Sequence, residues 1–171
     1  MTPQLVRMLI ALMLVMTSIP VAVAKEATTM NMQIIYVIRH AEKADTADNP
    51  SLNEQGKMRA QRLASVLQDA GVQSIFSTRY ARTQQTAAPL AAQLGVNVAT
   101  YNAGDAAAVI AEARALKHPV LIVGHSNTVP DIVRAAGGEA PDLTEKDYGD
   151  LFQLIITDDQ VVTNRLYIDS H

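Results

Sequence analysis

Residues 33–45 read QIIYVIRHAEKAD. The run from Ile34 to Ile38 is apolar without alternation and rich in β-branched residues, the pattern of a strand covered on both faces. It leads straight into Arg39, His40, Glu42 and Lys43, groups that are costly to bury. A strand over 33–39 with two covered faces belongs in a largely parallel sheet flanked by helices. The polar cluster at its end then has to sit at a mouth rather than in the core.

The residues on either side support that reading. After the loop KADTADNPS (43–51), Asn53 is suited to cap a helix, and Ala60, Leu63, Ala64 and Leu67 fall on one helical face before Gly71 stops it. VQSIFS (72–77) reads as a second strand. Ala87, Leu90, Ala91 and Leu94 then give a second helical stripe closed by Gly95, with Pro89 predicting a kink or a late start. VNVAT (96–100) is a third strand, Ala106, Val109, Ile110 and Ala113 mark a third helix, and PVLIVG (119–124) is a fourth strand. A short helix over 129–136 ends at Gly137-Gly138. LFQLIIT (151–157) and VVTNRLYI (161–168) are separated by three residues and read as a hairpin, so one strand runs against the others. The expected fold class is α/β: a three-layer α/β/α sandwich around a mixed, mostly parallel sheet of about six strands.

The chain has 171 residues, a formal net charge of −3, 4% aromatic residues and no cysteine. Nucleic acid is not an expected partner of so mildly acidic a chain, and disulfide, thiolate and Cys-metal chemistry are excluded. No HExxH or comparable ligand spacing occurs, so neither a metal nor another cofactor is expected. Arg7, the apolar run MLIALMLVM (8–16) and the small residues at Ala22–Ala24 have the layout of a secretory signal cleaved after Ala24. The competing reading is an uncleaved anchor, but the apolar run falls short of the roughly 20 residues needed to span a bilayer. The expected organisation is therefore a signal segment, 1–24, and one domain, 25–171, exported to the periplasm, with membrane contact only if the segment is retained.

In sheets of this kind ligands bind at the carboxyl ends of the parallel strands. Those ends carry Arg39-His40, STRYARTQQT (77–86) and GHSNT (124–128), so two histidines and at least two arginines face one crevice. Arginine forks bind phosphate oxygens bidentately and stay charged. A neutral imidazole can attack phosphorus and form a phosphohistidine that water later cleaves. A second histidine can stabilise charge on the transferring group, and backbone amides from Ser126 to Thr128 can add donors. Alternatively, Arg39 could pair with the acidic loop at Asp45 and Asp48, and Arg82 with a surface acid. The acidic stretch EAPDLTEKDYGD (139–150) reads as a solvated loop or part of a selecting rim.

RHAEK (39–43), FSTRYARTQQTA (76–87) and VGHSN (123–127) together resemble, in order and spacing, the histidine phosphatase superfamily, the phosphoglycerate-mutase-like fold. The resemblance spans residues 33–168. It implies that His40 is the phosphorylated nucleophile, that Arg39 and Arg82 clamp the phosphoryl group, and that His125 is the second pocket histidine. Arg82 rather than Arg79 matches, because Thr78 stands four residues before it and Thr86 four after. The implied activity is metal-independent hydrolysis of phosphate monoesters or phosphohistidine, on a small phosphorylated substrate or a phosphoprotein. A phosphate-binding or regulatory domain with little turnover is the alternative, and a phosphomutase fits less well because no insertion is available as a lid. Ser126 stands where one branch of the family has an aspartate proton donor. The other branch takes its acid from the segment after the third strand, where the chain offers Asp105. Glu42 more often orients the loop in this family, and a good leaving group needs no strong acid.

Overall fold

The structure, a computed structural model, describes residues 31–171, and the signal segment expected over 1–24 lies outside them. Six strands and four helices follow one another along the chain: β1 (Gln33–Arg39), α1 (Glu54–Leu67), β2 (Ser74–Ser77), α2 (Ala81–Leu94), β3 (Val98–Thr100), α3 (Ala106–Leu116), β4 (Val120–Gly124), α4 (Val129–Ala135), β5 (Asp150–Ile156) and β6 (Val161–Tyr167). They build one sheet of order β3-β2-β4-β1-β5-β6. β1 pairs in parallel with β4 and antiparallel with β5, so it is an inner strand with no free edge.

That position explains the unbroken apolar run. Ile35 and Val37 point into a core shared with Val109, Ile110, Ile132 and Val133 of α3 and α4. Tyr36 and Ile38 point the other way, against Leu63, Leu67 and Leu90 of α1 and α2. Each such side chain contributes roughly 1.5–3 kcal/mol by leaving water. The mixed α/β sandwich is thus the expected one, with β5 as the reversed strand and the hairpin to β6 closed by Thr157 and Gln160.

Two details depart from the reading of the sequence. α2 does not start late: it begins at Ala81, eight residues before Pro89, and runs through it to Gly95. Its first turn is fixed from outside, since the Asn49 side chain accepts from the Ala81 amide at 2.7 Å. Tertiary packing of Ala87, Leu90 and Ala91 then outweighs the roughly 3 kcal/mol that an interior proline costs a helix. β2 and β3 are also shorter than expected: the Gln73 amide donates to the Pro119 carbonyl just before Ser74 joins the ladder, and ahead of β3 the Val96 amide donates back to the Ala91 carbonyl of α2.

α1 starts as expected at Asn53, whose side chain accepts from the Gly56 amide at 2.8 Å. Gly56 is pressed against the backbone of Glu42, and a Cβ there would collide with the Glu42 carbonyl and lie 2.9 Å from its nitrogen. Gly95, by contrast, needs its freedom only for a left-handed cap, φ 67°, with open space around it. Gly56→Ala is expected to lower stability by about 1–3 kcal/mol through overpacking, despite the better helix propensity of alanine, and to lower turnover by shifting the loop that carries His40. Gly95→Ala is expected to cost about 1 kcal/mol of backbone strain and to leave turnover alone. Urea unfolding and initial rates on the two variants check the contrast.

Candidate active site

The last register pair of the β1–β4 ladder is Arg39 with Gly124, and the His40 amide extends the ladder by donating to the Gly124 carbonyl at 2.9 Å. His40 and His125 are the next residues on the two strands. Their rings therefore meet edge to face, with centroids 5.4 Å apart. Gly124 lets the strand end pack closely, since a Cβ would lie 3.0 Å from Thr128 Oγ1 and 3.1 Å from Tyr101 Oη. β2 lies on the other side of β4 and delivers Thr78 to His125.

The hydrogen bonds define what each ring can do. His40 Nδ1 lies 2.8 Å from the Ala41 carbonyl, which can only accept, so Nδ1 carries the proton and Nε2 keeps a free lone pair. The Ala41 amide is itself held by Thr86 Oγ1 at 3.0 Å, which fixes the loop from α2. At His125, Arg82 Nη2 lies 3.5 Å from Nδ1 and can only donate, so Nε2 carries the proton. That proton points to Thr78 Oγ1 at 3.0 Å, and the chain continues to Thr83 Oγ1 at 2.7 Å and the Tyr80 carbonyl at 2.8 Å. The two threonines four residues on either side of Arg82 thus position one histidine each.

Burial, opposed by the Ala41 bond and aided by Arg39, His125 and Arg82, lowers His40 from its ordinary 6.5 to about 3. Burial and then the charges of Arg82 and Arg39 lower His125 to about 4. Both rings are thereby held neutral at physiological pH.

Arg39 is only 1% exposed. It does not pair with Asp45 or Asp48. Its Nη1 donates to the carbonyls of Thr144 and Asp147, at 2.7 and 3.1 Å, and its Nη2 to Glu145 at 3.2 Å, while Tyr148 lies under the guanidinium at 4.0 Å. Nε, the neighbour of Nη2 on the same edge of the fork, is buried without a partner. One edge of Arg39 therefore holds the loop 139–149, and the other is half open. Arg82, in the first turn of α2, lies over the Tyr80 ring at 4.5 Å and reaches the Asp48 carbonyl at 3.4 Å.

Arg39, His40, Arg82 and His125 are thus brought together, and Ser126 joins them: its hydroxyl donates to Glu145 at 3.0 Å. The amides of Ser126 and Asn127 make no backbone hydrogen bond among the described residues. Among the described residues Asp105 makes no hydrogen bond or ion pair to Arg39, His40, Arg82 or His125. Its carboxylate is the N-cap of α3 and accepts from the Ala108 amide at 2.9 Å. Glu42 is committed to Arg59, which donates to it from Nε at 3.1 Å and from Nη2 at 2.5 Å. Among the described residues no group of three or more His, Asp or Glu side chains could hold a metal ion. Reading the sequence missed Glu145 and Tyr148 as individual groups, because nothing in the composition of 139–150 says that this loop folds over Arg39.

The sequence model of the histidine phosphatase superfamily (branch 1) matches residues 35–103. No curated protein matches the sequence. Solved structures do match in fold: the protein histidine phosphatase SixA complexed with tungstate, 17% identical, covers 80% of this chain and 97% of its own, with TM-score 0.66. The alpha-ribazole phosphatase from Shigella flexneri, 16% identical, covers 78% and 96%, with TM-score 0.64. A mycobacterial glucosyl-3-phosphoglycerate phosphatase, 13% identical, covers 82% and 100%, with TM-score 0.60. The resemblance drawn from the sequence is borne out: the chain has the histidine phosphatase fold, and the segment bearing Arg39, His40, Thr78 and Arg82 matches the superfamily's sequence pattern.

Because both histidines are neutral when folded and take up protons near 6.5 when unfolded, the unfolded chain binds more protons between about 6.5 and 4. Stability is therefore expected to rise with pH across that window and to be lost as the pH drops through it, each ring adding a slope of up to about 1.4 kcal/mol per pH unit. The lowered carboxyls of Glu145 and Asp147 have ordinary values of 4.5 and 3.8, so Glu145 enters only at the acid end of that window and Asp147 below it. His40→Gln and His125→Gln should each flatten the dependence between pH 7 and 5, measured by urea unfolding. A slope unchanged in both variants would contradict the buried neutral state.

Proposed function

We propose that the protein is a metal-independent phosphatase that works through a phosphohistidine on His40. The observation that carries this reading is the free Nε2 of His40, fixed by the Nδ1–Ala41 bond and placed beside Arg39 and His125. A phosphoryl group docked there would satisfy the buried Nε of Arg39 and take Nη2 as well, a bidentate, charge-assisted contact. Arg82 would turn from the His125 ring to the same group. His125, now facing a dianion, would gain a proton on Nδ1 and donate it toward an equatorial oxygen, while Nε2 keeps its bond to Thr78.

His40 then attacks phosphorus, the bond to the leaving group breaks, and water later displaces His40 to give orthophosphate. Substrate bulk has room next to the pocket. A cleft of about 490 Å³, lined by Thr78, Arg79, Tyr80, Tyr101 and Asn102, opens beside the Thr78 that supports His125. Arg79 and Asn102 would favour a polar or acidic substrate body, from a small phosphate ester to a phosphorylated side chain of another protein. If residues 1–24 direct export, as we also propose, those substrates lie outside the cytosol.

A second reading, a phosphate-binding domain with little turnover, is favoured by one observation: Asp105, the candidate proton donor, is occupied as a helix cap. Two experiments separate the readings. Hydrolysis of p-nitrophenyl phosphate in excess chelator is expected for the wild type and to fall by about 10³-fold or more in His40→Ala. Phosphate trapped on the wild type should map to His40 and, as a phosphorus–nitrogen linkage, should be labile in acid and stable in base. No hydrolysis with retained phosphate binding would favour the binding domain. Asp105→Asn, which can still cap α3, is expected to match the wild type in both turnover and stability.

A further inference from the structure

Glu145 occupies a position that the site's other groups do not account for. Its loop is braced: the carbonyls of Thr144 and Asp147, on either side of it, both accept from Arg39 Nη1. Asp147 locks the same turn by accepting from the Thr144 amide at 2.6 Å and hydroxyl at 2.7 Å. The Glu145 carboxylate is thereby held at the mouth of the pocket, with one oxygen on Ser126 Oγ and the other shared by Arg39 Nη2 and Lys43 Nζ, at 3.2 and 3.3 Å. Among the described residues it is the acid in contact with Arg39, since Asp105 caps α3, Glu42 holds Arg59 and Asp147 is folded back onto Thr144. It is also 67% exposed, so leaving atoms and water can reach it.

We propose, resting on the phosphatase reading above, that Glu145 is the proton-transfer residue: it protonates the leaving atom in the first step and receives the proton of the attacking water in the second. In the first step the bond from His40 Nε2 to phosphorus forms, the phosphorus–oxygen bond to the leaving group breaks, and the Glu145 proton goes to that oxygen. In the second, water oxygen bonds to phosphorus, the phosphorus–nitrogen bond breaks, and one water proton returns to Glu145. Ester and water thus become alcohol and orthophosphate, with both residues restored.

Substrate binding itself loads the proton. In the free site Glu145 faces Arg39 and Lys43 from β1 and the loop after it, with His125 beyond Ser126. Although partial burial acts the other way, the Ser126 bond, Arg39 and Lys43 hold the carboxyl below its ordinary range. A phosphoryl dianion that takes Arg39 Nη2 removes one of those cations and sets two negative charges beside the carboxylate. Both changes favour its protonated form. Lys43 remains to steer the carboxyl, and Ser126 holds the oxygen next to it.

The test compares Glu145→Gln with the full wild-type chain on two esters: p-nitrophenyl phosphate, whose leaving group needs no proton, and β-glycerophosphate, whose leaving group does. The value of kcat/KM reports phosphorylation of His40. Glu145→Gln is expected to lower it by about 10²–10⁴-fold on β-glycerophosphate and less than about tenfold on p-nitrophenyl phosphate. With the second step slowed, the variant should release a burst of one p-nitrophenol per enzyme before a slower steady rate. The basic limb of the wild-type pH profile on β-glycerophosphate should be absent in the variant, and Glu145→Asp should recover part of the lost rate. Equal losses on both esters would assign Glu145 to holding the loop and overturn the proposal. Equal rates, or a gain on both with tighter phosphate inhibition, would overturn it too, marking the carboxylate as a plug on Arg39. A wild type that hydrolyses neither ester would instead sink the phosphatase reading on which the proposal rests.

Discussion

The parallel pairing of β1 with β4, in the register that sets Arg39 opposite Gly124, is the constraint from which the site follows. A slip of one residue would turn every side chain of β1 to the opposite face. Arg39 would lose the Thr144 and Asp147 carbonyls, and His40 would no longer stand beside His125. The register is held because both faces of both strands are covered. Ile35, Val37, Val120 and Ile122 fill one core, and Tyr36, Ile38, Leu121 and Val123 fill the other. Apolar packing over four paired residues thus sets the spacing of polar groups that would not find each other unaided.

Those polar groups are expensive to hold. Arg39 is a buried cation whose guanidinium is compensated by two carbonyl dipoles, one carboxylate and the face of Tyr148. The histidines beside it avoid a charge cost by staying neutral. Positive potential accumulates at Arg39, Arg82 and Lys43, and Glu145 is the carboxylate that balances it. In the function we propose, an arriving dianion would replace that balance, so that the carboxylate offsets the cost of the empty site and the filled one favours a doubly charged group.

Much of this was legible in the sequence because the chemistry sits next to strong local signals. Arg39-His40 and Gly124-His125 end apolar strands, Asn53 and Gly95 punctuate helices, and Thr78, Arg82 and Thr86 occupy a strand end and the first turns of a helix. What was not legible depends on contacts between segments remote in the chain. Asn49 caps α2 from 32 residues away, a contact no local pattern announces, so the early start of that helix is not visible from Pro89, which points only to a kink or a late start. Thr144 and Asp147 reach Arg39 across more than 100 residues, through a loop with no periodicity of its own. Asp105 shows the reverse case: an acid next to a predicted helix invites a reading as a reactant, and in the structure its carboxylate has a local job, capping that helix.

One cation links the two loops that these contacts create. Arg59 of α1 holds Glu42 through Nε and Nη2 and donates from Nη1 to the Ile168 carbonyl. Gly149, φ 88°, ends the Glu145 loop against that same Nη1 and leaves no room for a side chain. The His40 loop and the Glu145 loop are therefore packed against a single buried guanidinium. A buried ion pair of this kind need not add net stability, because desolvation offsets much of the attraction, yet losing one partner strands the other at a cost of about 3–5 kcal/mol. Its value lies in geometry. Arg39 fixes the Glu145 loop from the pocket side and Arg59 from the core side, so the loops that carry His40 and Glu145 are braced against each other while the Glu145 carboxylate stays exposed to solvent.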